Sequence, residues 1–120
     1  MNKEELKDRT KNFALRIIKL SEYLPDTKSG RVISNQIVKS GTSVGANYRA
    51  ACRAKSTRDF INKLTIVEEE ADETLFWLEI IKEGKLLKPH LLVDLMKEAD
   101  ELVAIFTSAG KTSKIKANRK

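Results

Sequence analysis

A chain of 120 residues with 41% hydrophobic and 33% charged side chains has the size of one domain and enough apolar content for a single core. Its two prolines and five glycines leave little room for loops, which favours long amphipathic helices over a β-sandwich. Because it lacks a run of about 18 apolar residues and begins with polar ones, the sequence predicts neither a membrane span nor a secretory signal.

The first two predicted helices carry apolar side chains at steps of three and four residues, which is the spacing of one helix face. Pro25 ends the first helix, because proline lacks the amide donor and disfavours helix at the residue before it. The second helix is predicted to run from about Ser29 to about Ala54, after a turn in which Asp26 or Thr27 caps its start.

The last two predicted helices are bounded by capping and breaking residues. Ser56 and Asp59 resemble a capping box at the start of the third helix, and Gly84 suits the position just past its end. Pro89 suits the first turn of the fourth helix, whose apolar stripe ends near Ser108. No strand pattern competes with these four helices.

Four helices joined by short links predict an all-α fold, an antiparallel up-down-up-down four-helix bundle. The bundle is predicted over residues 1–109, and residues 110–120 are predicted to form a basic, disordered tail. The third helix has a second stripe, which contains Glu73 and Trp77. A helix that is apolar on two faces must bury both, so this stripe predicts a contact with another subunit.

Small residues interrupt the second helix. Gly41 and Gly45 lie four residues apart on one face, and each costs a helix about 1 kcal/mol relative to alanine. Close approach of a neighbouring backbone offsets such a cost. The two glycines and the nearby Asn47 therefore predict a helix-packing or subunit contact.

No constellation of catalytic or metal-binding residues is present in the sequence. Five acids within residues 68–73 suggest a two-metal site, but bundle sites of that kind need Glu-x-x-His, and the one histidine, His90, follows a proline. Ser40, Thr42 and Ser43 lack a base to activate them, and no glycine-rich phosphate loop is present. The sequence therefore predicts no catalytic residue, no metal, no cofactor and no enzymatic activity.

Two further polar side chains have structural interpretations. Glu73 must be exposed at a rim or paired with another group. Its possible partners are Asn47, Tyr48, Arg49 and Lys63. Cys52 is interpreted as a small packed residue, and as the only cysteine it cannot form an internal disulfide, so a reducing cytoplasm is the simplest location.

Charge is unevenly distributed along the chain. Residues 1–55 carry 12 basic and 5 acidic side chains, residues 56–109 carry 6 and 12, and residues 110–120 carry five basic side chains and no acid. Two candidate nucleic-acid contacts follow, because a cation placed on a phosphate releases condensed counterions. One is a band of Arg49, Arg53 and Lys63. The other is the tail, with Lys111, Lys114, Lys116, Arg119 and Lys120. An ordinary solvated surface is the alternative interpretation.

The most specific pattern of the chain lies on the second and third helices. It consists of Ser40-Gly41-Thr42-Ser43-Val44-Gly45-Ala46-Asn47-Tyr48, Ser56, Asp59-Phe60, Lys63-Leu64, Glu69, Glu73-Thr74 and Trp77-Leu78. This pattern closely resembles the four-helix bundle proteins encoded in intervening sequences of bacterial 23S ribosomal RNA genes, once labelled S23 ribosomal proteins. The resemblance covers about residues 5–108, although Ala50 stands where a glutamate is common in the family.

The resemblance implies an antiparallel four-helix protomer and no known catalysis. Members are similar to the accessory protein of diversity-generating retroelements, a barrel-shaped homopentamer that binds nucleic acid and a reverse transcriptase, which implies a cyclic homo-oligomer of five subunits. Two functions remain open at this point. The first is a nucleic-acid-binding ring, with structured RNA as the favoured partner. The second is an assembly module that docks a protein partner without contacting nucleic acid.

Overall fold

The computed structural model of the chain describes residues 1–119. Within them it contains no strand and four α-helices, α1 (Lys3–Ser21), α2 (Lys28–Cys52), α3 (Thr57–Glu83) and α4 (Val93–Asn118), with a 3₁₀ turn at Pro89–Leu91. The prediction of four helices without a sheet is therefore confirmed. The described part is elongated, with principal extents of 52, 22 and 20 Å. None of its helices is long and apolar enough to cross a membrane.

Hydroxyl side chains begin α2 and α3 at the predicted positions. Thr27 Oγ1 accepts the Gly30 N–H at 3.1 Å, and Ser56 Oγ accepts the Asp59 N–H at 3.0 Å. Each bond satisfies a donor that the first turn of a helix would otherwise leave unpaired. The Asp59 carboxylate also reaches back to the Lys55 N–H at 3.2 Å, one residue before the cap, so the side chain completes a variant of the capping box.

The link between α3 and α4 differs from the prediction at two residues. Gly84 keeps helical backbone angles (φ −77°, ψ −3°), and the residue in the left-handed region is Lys85, with φ 56°. Gly84 is suited to its place for another reason, since a Cβ there would lie 2.9 Å from the Ile80 carbonyl oxygen. Pro89 opens the 3₁₀ turn, and α4 begins at Val93 rather than at the proline.

The four helices pack around one hydrophobic core, to which each contributes the apolar stripe read from the sequence. The largest fully buried side chains are Phe13, Ile17, Ile37, Leu64, Leu78, Ile81, Leu92, Leu102 and Phe106. The ring of Tyr48 lies 5.4 Å from that of Phe106 at a tilt of 52° and carries α2 into contact with α4. Burial of these side chains, rather than intrinsic helix propensity, supplies most of the stability of such helices.

Gly41 and Gly45 lie where α2 approaches α1. A Cβ at position 41 would be 2.8 Å from Ile17 Cγ2, and one at position 45 would be 3.3 Å from Thr10 Oγ1. Both α1 residues are fully buried. The glycines therefore face a helix of the same chain, and the missing side chains set the distance between α1 and α2.

Polar contacts join the other helix pairs. The Thr74 hydroxyl lies 2.9 Å from Ser40 Oγ, which connects α3 to α2 inside the core. On the side where α1 faces α4, the Arg9 guanidinium donates two hydrogen bonds to Glu98, at 2.6 and 2.7 Å, and one to Glu101 at 3.0 Å. The bidentate geometry fixes orientation as well as distance. Neighbouring carboxylates raise the pKa of Arg9, chiefly through the hydrogen bonds to Glu98.

The fourth helix is longer than predicted. Its apolar stripe ends near Ser108, but the helix continues through Asn118, which corrects the prediction of an irregular tail for residues 110–118. Ala109, Ser113 and Ala117 are half-buried at steps of four residues, so the packed face continues in small side chains that carry little hydrophobic signal. Lys120, the last residue of the predicted tail, lies outside the described residues.

Candidate nucleic-acid interface

One end of the elongated fold brings together parts of all four helices. The start of α1, the end of α2, the start of α3 and the end of α4 surround a cleft of about 450 Å³. Its lining residues are Lys3, Ala51, Cys52, Ala54, Ser56, Thr57, Phe60, Ser113, Lys116 and Ala117. We refer to this cleft as the end cleft, and to the surface around it as the basic end.

The basic end collects two basic segments that are distant in sequence. Residues 49–58 contain four basic side chains and no acid, and residues 111–119 contain another four and no acid. Residues of both segments line the end cleft, so the two segments meet there, although Lys116 is the one basic residue of either segment among the lining residues. Clustered charge of one sign raises the local potential by several kT and attracts polyanions.

A basic groove between α1 and α2 opens beside Arg53. It has a volume of about 420 Å³, and its four cationic side chains are Lys7, Lys11, Arg49 and Arg53. Two acids, Glu4 and Asp8, also line it, and Lys7 binds Glu4 at 3.2 Å. The small residues Gly45 and Ala46 are also among its lining residues. The groove carries a net positive charge along the outside of the helix pair.

Lys63, the third member of the predicted band, has a different environment from Arg49 and Arg53. It lies on α3, where its ammonium donates to both carboxylate oxygens of Asp59 at 2.6 and 2.7 Å. This contact is the main reason why the pKa of Asp59 is lowered, with the hydrogen bond from the Lys55 N–H as the second cause. Lys63 is therefore ion-paired and lies outside the groove, whereas Lys7, which is paired with Glu4, and Lys11 line the groove.

Three basic residues of the predicted tail, Lys111, Lys114 and Lys116, lie on the end of α4, and Arg119 directly follows it. Lys111, Lys114 and Arg119 are exposed, and Lys116 lines the end cleft together with Lys3 of α1. A helix holds these cations at fixed spacing, so they form a defined surface rather than a free arm.

Asn47, Glu73 and Trp77, which are predicted for packing or subunit contact, are not among the residues that line the end cleft or the groove. The Asn47 side chain donates to the Ser43 carbonyl at 2.9 Å, within α2. Glu73 is exposed on α3. Trp77 is half-buried, and its Nε1 is buried without a hydrogen-bond partner among the described residues. The Trp77 ring meets Phe76 edge-on, with 5.1 Å between centroids, so α3 presents an aromatic pair at its outer side.

Other ionisable groups are placed without the geometry of a catalytic site. Burial raises the pKa of Tyr48, whose hydroxyl faces the Cys52 thiol. Burial, followed by the charge of Glu73, raises the pKa of Glu70. Within residues 1–119, no group of three or more His, Cys, Asp or Glu side chains could hold a metal ion.

Sequence reasoning missed Lys3, Lys7, Lys11 and the exposed part of Phe60. Lys7 and Lys11 are one helical turn apart, which signals a shared face, but nothing local indicates that this face adjoins α2. Phe60 fits an apolar stripe and is half-buried, so its second role in lining the end cleft has no signal in the sequence.

Comparison with known proteins decides the family. The model of the 23S rRNA-intervening sequence protein family matches residues 2–108. The chain belongs to this family. A crystal structure at 1.70 Å resolution, of a protein with unknown function from the S23 ribosomal protein family of Bacteroides thetaiotaomicron, is similar to it with 37% sequence identity and a TM-score of 0.84. The similarity covers 92% of this chain and 99% of that one. No curated protein matches the chain.

The family match stops at residue 108, whereas α4 of this 23S rRNA-intervening sequence family member continues to Asn118. The basic helical extension and its share of the end cleft, Ser113, Lys116 and Ala117, therefore lie beyond the matched residues.

Proposed function

We propose that this protein is a non-enzymatic nucleic-acid-binding protein of the cytoplasm that binds structured RNA through its basic end. One observation carries the proposal: residues 49–58 and 111–119, which hold eight basic side chains and no acid, meet around the same cleft. Phosphates are the natural partners of such a surface, because each neutralised phosphate releases counterions. The groove of Lys7, Lys11, Arg49 and Arg53 extends the same surface along α1 and α2.

The proposed protomer is an antiparallel up-down-up-down bundle. The order of helix contacts supports this arrangement, because Ile17 meets position 41 whereas Thr10, earlier in α1, meets position 45, later in α2. The links between successive helices are short, which is typical of antiparallel neighbours.

The proposed assembly is a cyclic homo-oligomer, and the family resemblance favours five subunits. The outer side of α3 supports a subunit contact, since Ile66, Phe76 and Ile80 are 42%, 49% and 36% exposed there. The unpartnered Trp77 Nε1 lies on the same helix. Exposed apolar side chains that share one side of a helix can form part of an interaction site. A ring would repeat the basic end in every subunit, so even weak contacts would add through multivalency.

Binding across a salt series tests the proposal. A structured RNA and an unrelated duplex DNA should both bind at low salt, with affinity falling steeply as salt rises. The double variant Arg49→Gln/Arg53→Gln should weaken binding and flatten the slope of log affinity against log salt by about 2 if both cations contact phosphates. Lys82→Gln/Lys88→Gln is the matched control, because it removes two exposed cations far along the sequence from the end cleft. No binding to either nucleic acid at low salt would contradict the proposal.

A protein-docking module is the second candidate function, and the exposed apolar side chains of α3 favour it. It predicts no nucleic-acid binding at moderate salt. It also predicts that charge substitutions at the basic end leave capture of the partner unchanged. Substitution of Phe76 by serine would then abolish capture, whereas in the nucleic-acid proposal this change affects subunit association.

A further inference from the structure

The end cleft has two kinds of wall. Ala51, Cys52 and the half-buried ring of Phe60 form an apolar side. The hydroxyl-bearing residues Ser56, Thr57 and Ser113 and the lysines Lys3 and Lys116 are among its other lining residues. A volume of about 450 Å³ is within the range of small-ligand sites, which extends from about 300 to 1,000 Å³. The cleft thus combines an aromatic surface with cations and neutral hydrogen-bonding groups.

We propose that the end cleft holds an unpaired nucleotide of an RNA strand, with the base against Phe60 and the adjoining phosphates near Lys3 and Lys116. The inference rests on the proposed function and deepens it by naming the part of the RNA that is recognised. In this arrangement the surrounding cations contact the RNA backbone, and the cleft holds a single base.

The chemistry of the walls selects an unpaired base over a base pair. In a duplex both faces of a base are stacked on neighbours, so a side chain cannot cover them, whereas loops and bulges can place a base on an aromatic ring. Every base has a π-face, so stacking on Phe60 would tolerate any sequence. Hydroxyl groups can donate to or accept from the base edge and the ribose 2′-hydroxyl.

Part of the end cleft is formed by α4, and only because this helix continues past residue 108. Ser113, Lys116 and Ala117 belong to the extension that continues past residue 108. Without it, the cleft would lose the three lining residues that α4 supplies, which include one of its two lysines. The inferred site therefore needs the extension as well as the four-helix core.

Cys52 provides a direct readout, because it is the only cysteine and lines the end cleft. The rate of its reaction with a soluble thiol reagent is measured for the protein without nucleic acid. It is then measured in the presence of a ten-nucleotide single-stranded RNA, of a duplex of that sequence or of free uridine monophosphate. The concentration of each nucleic acid is chosen from a binding assay so that the same fraction of the protein is bound. We expect the single strand to slow the reaction at least about fivefold and the duplex to leave it unchanged. Equal protection by the duplex, or no protection by the strand, would overturn the inference, as would equal protection by the free nucleotide at the same concentration.

A substitution pair gives an independent measurement. Phe60→Leu keeps an apolar side chain but removes the ring, so it should weaken binding of the single strand at least about fivefold, the lower end of the loss expected for a stacked base. It should leave duplex binding unchanged. Tyr23→Leu is the control, because Tyr23 is a 60% exposed aromatic that follows the other end of α1. Circular dichroism and melting establish that both variants are folded.

The results separate the two proposals. If RNA binds with the predicted salt dependence but Cys52 stays unprotected and Phe60→Leu binds single strand as wild type does, the inferred nucleotide site is wrong and the basic surface stands. If neither RNA nor DNA binds at low salt, the proposed function fails and the inference fails with it.

Discussion

Adding one methyl group at Gly41 tests how α1 and α2 are packed. The new Cβ would lie 2.8 Å from Ile17 Cγ2 and 2.9 Å from Cγ1, well inside the 3.5–4.0 Å at which carbon atoms pack best. Ile17 is fully buried, so it cannot turn into solvent. Such overpacking costs about 1–3 kcal/mol, whereas replacing glycine by alanine in a helix gains about 1 kcal/mol. The difference between these two effects is about 0–2 kcal/mol, so we expect Gly41→Ala to lower the free energy of unfolding by about 1 kcal/mol.

Position 45 provides the comparison within the same helix. There the nearest atom to a new Cβ is Thr10 Oγ1 at 3.3 Å, a tighter contact than most but without the overlap found at Gly41. The gain in helix propensity should then offset most of the crowding, and Gly45→Ala should change the free energy of unfolding by less than about 1 kcal/mol. Urea unfolding followed by circular dichroism at one protein concentration measures both, because association makes stability depend on concentration.

A double-mutant cycle with Ile17 identifies the cause of the cost. Ile17→Ala removes both γ carbons and leaves the Ile17 Cβ, at 3.0 Å, as the remaining close atom, so in that background Gly41→Ala should cost less. Ile17→Val keeps both γ carbons and is the matched control, in which the cost should persist. If Gly41→Ala is as stable as wild type, or if its cost is the same in the Ile17→Ala background, the account of helix packing at this glycine is wrong.

Three further predictions concern charge and the fourth helix. Arg9→Gln should lower the free energy of unfolding by about 1–3 kcal/mol, since it removes charge-assisted bonds to Glu98, and equal urea midpoints would contradict this. Because the folded-state pKa of Asp59 is lowered, its contribution is complete at neutral pH and is lost as pH falls below about 4, so Asp59→Asn should flatten the acid limb of stability against pH. Lys114→Pro should break the end of α4, which reduces helical circular dichroism and speeds the reaction of Cys52 with a thiol reagent. Lys114→Ala is the control and should change neither measurement. An unchanged thiol reaction rate in the proline variant would show that the end of α4 does not cover the cleft.

Local sequence signals determined where most helices lie. Apolar residues at steps of three and four, together with hydroxyl caps at Thr27 and Ser56, act over a few residues and leave a direct mark in the sequence. The link after α3 departed from expectation because two residues could close the helix, and the left-handed conformation fell on Lys85 rather than on Gly84. A glycine in the sequence does not by itself indicate whether the position needs its backbone freedom or its small size.

The length of α4 shows where hydropathy becomes insensitive. Its packed face passes from Leu102 and Phe106 to Ala109, Ser113 and Ala117, whose small side chains bury little apolar area. These small residues lie on the same face of the helix but carry little hydrophobic signal, so a pattern based on large apolar residues ends before the helix does.

The sequence by itself determined the four-helix composition, the family pattern and the amounts of charge in each segment. Only the tertiary structure decided which charges share a surface. Helices place side chains about 1.5 Å apart along their axes, so residues 49–58 and 111–119 become neighbours only because chain reversals return α4 to the end where α2 stops. The same folding brought Lys3 and Phe60 together at the end cleft, a juxtaposition of distant segments that local spacing does not indicate. The Lys63–Asp59 pair is different, because its residues are four apart within α3 and helical spacing alone brings them together.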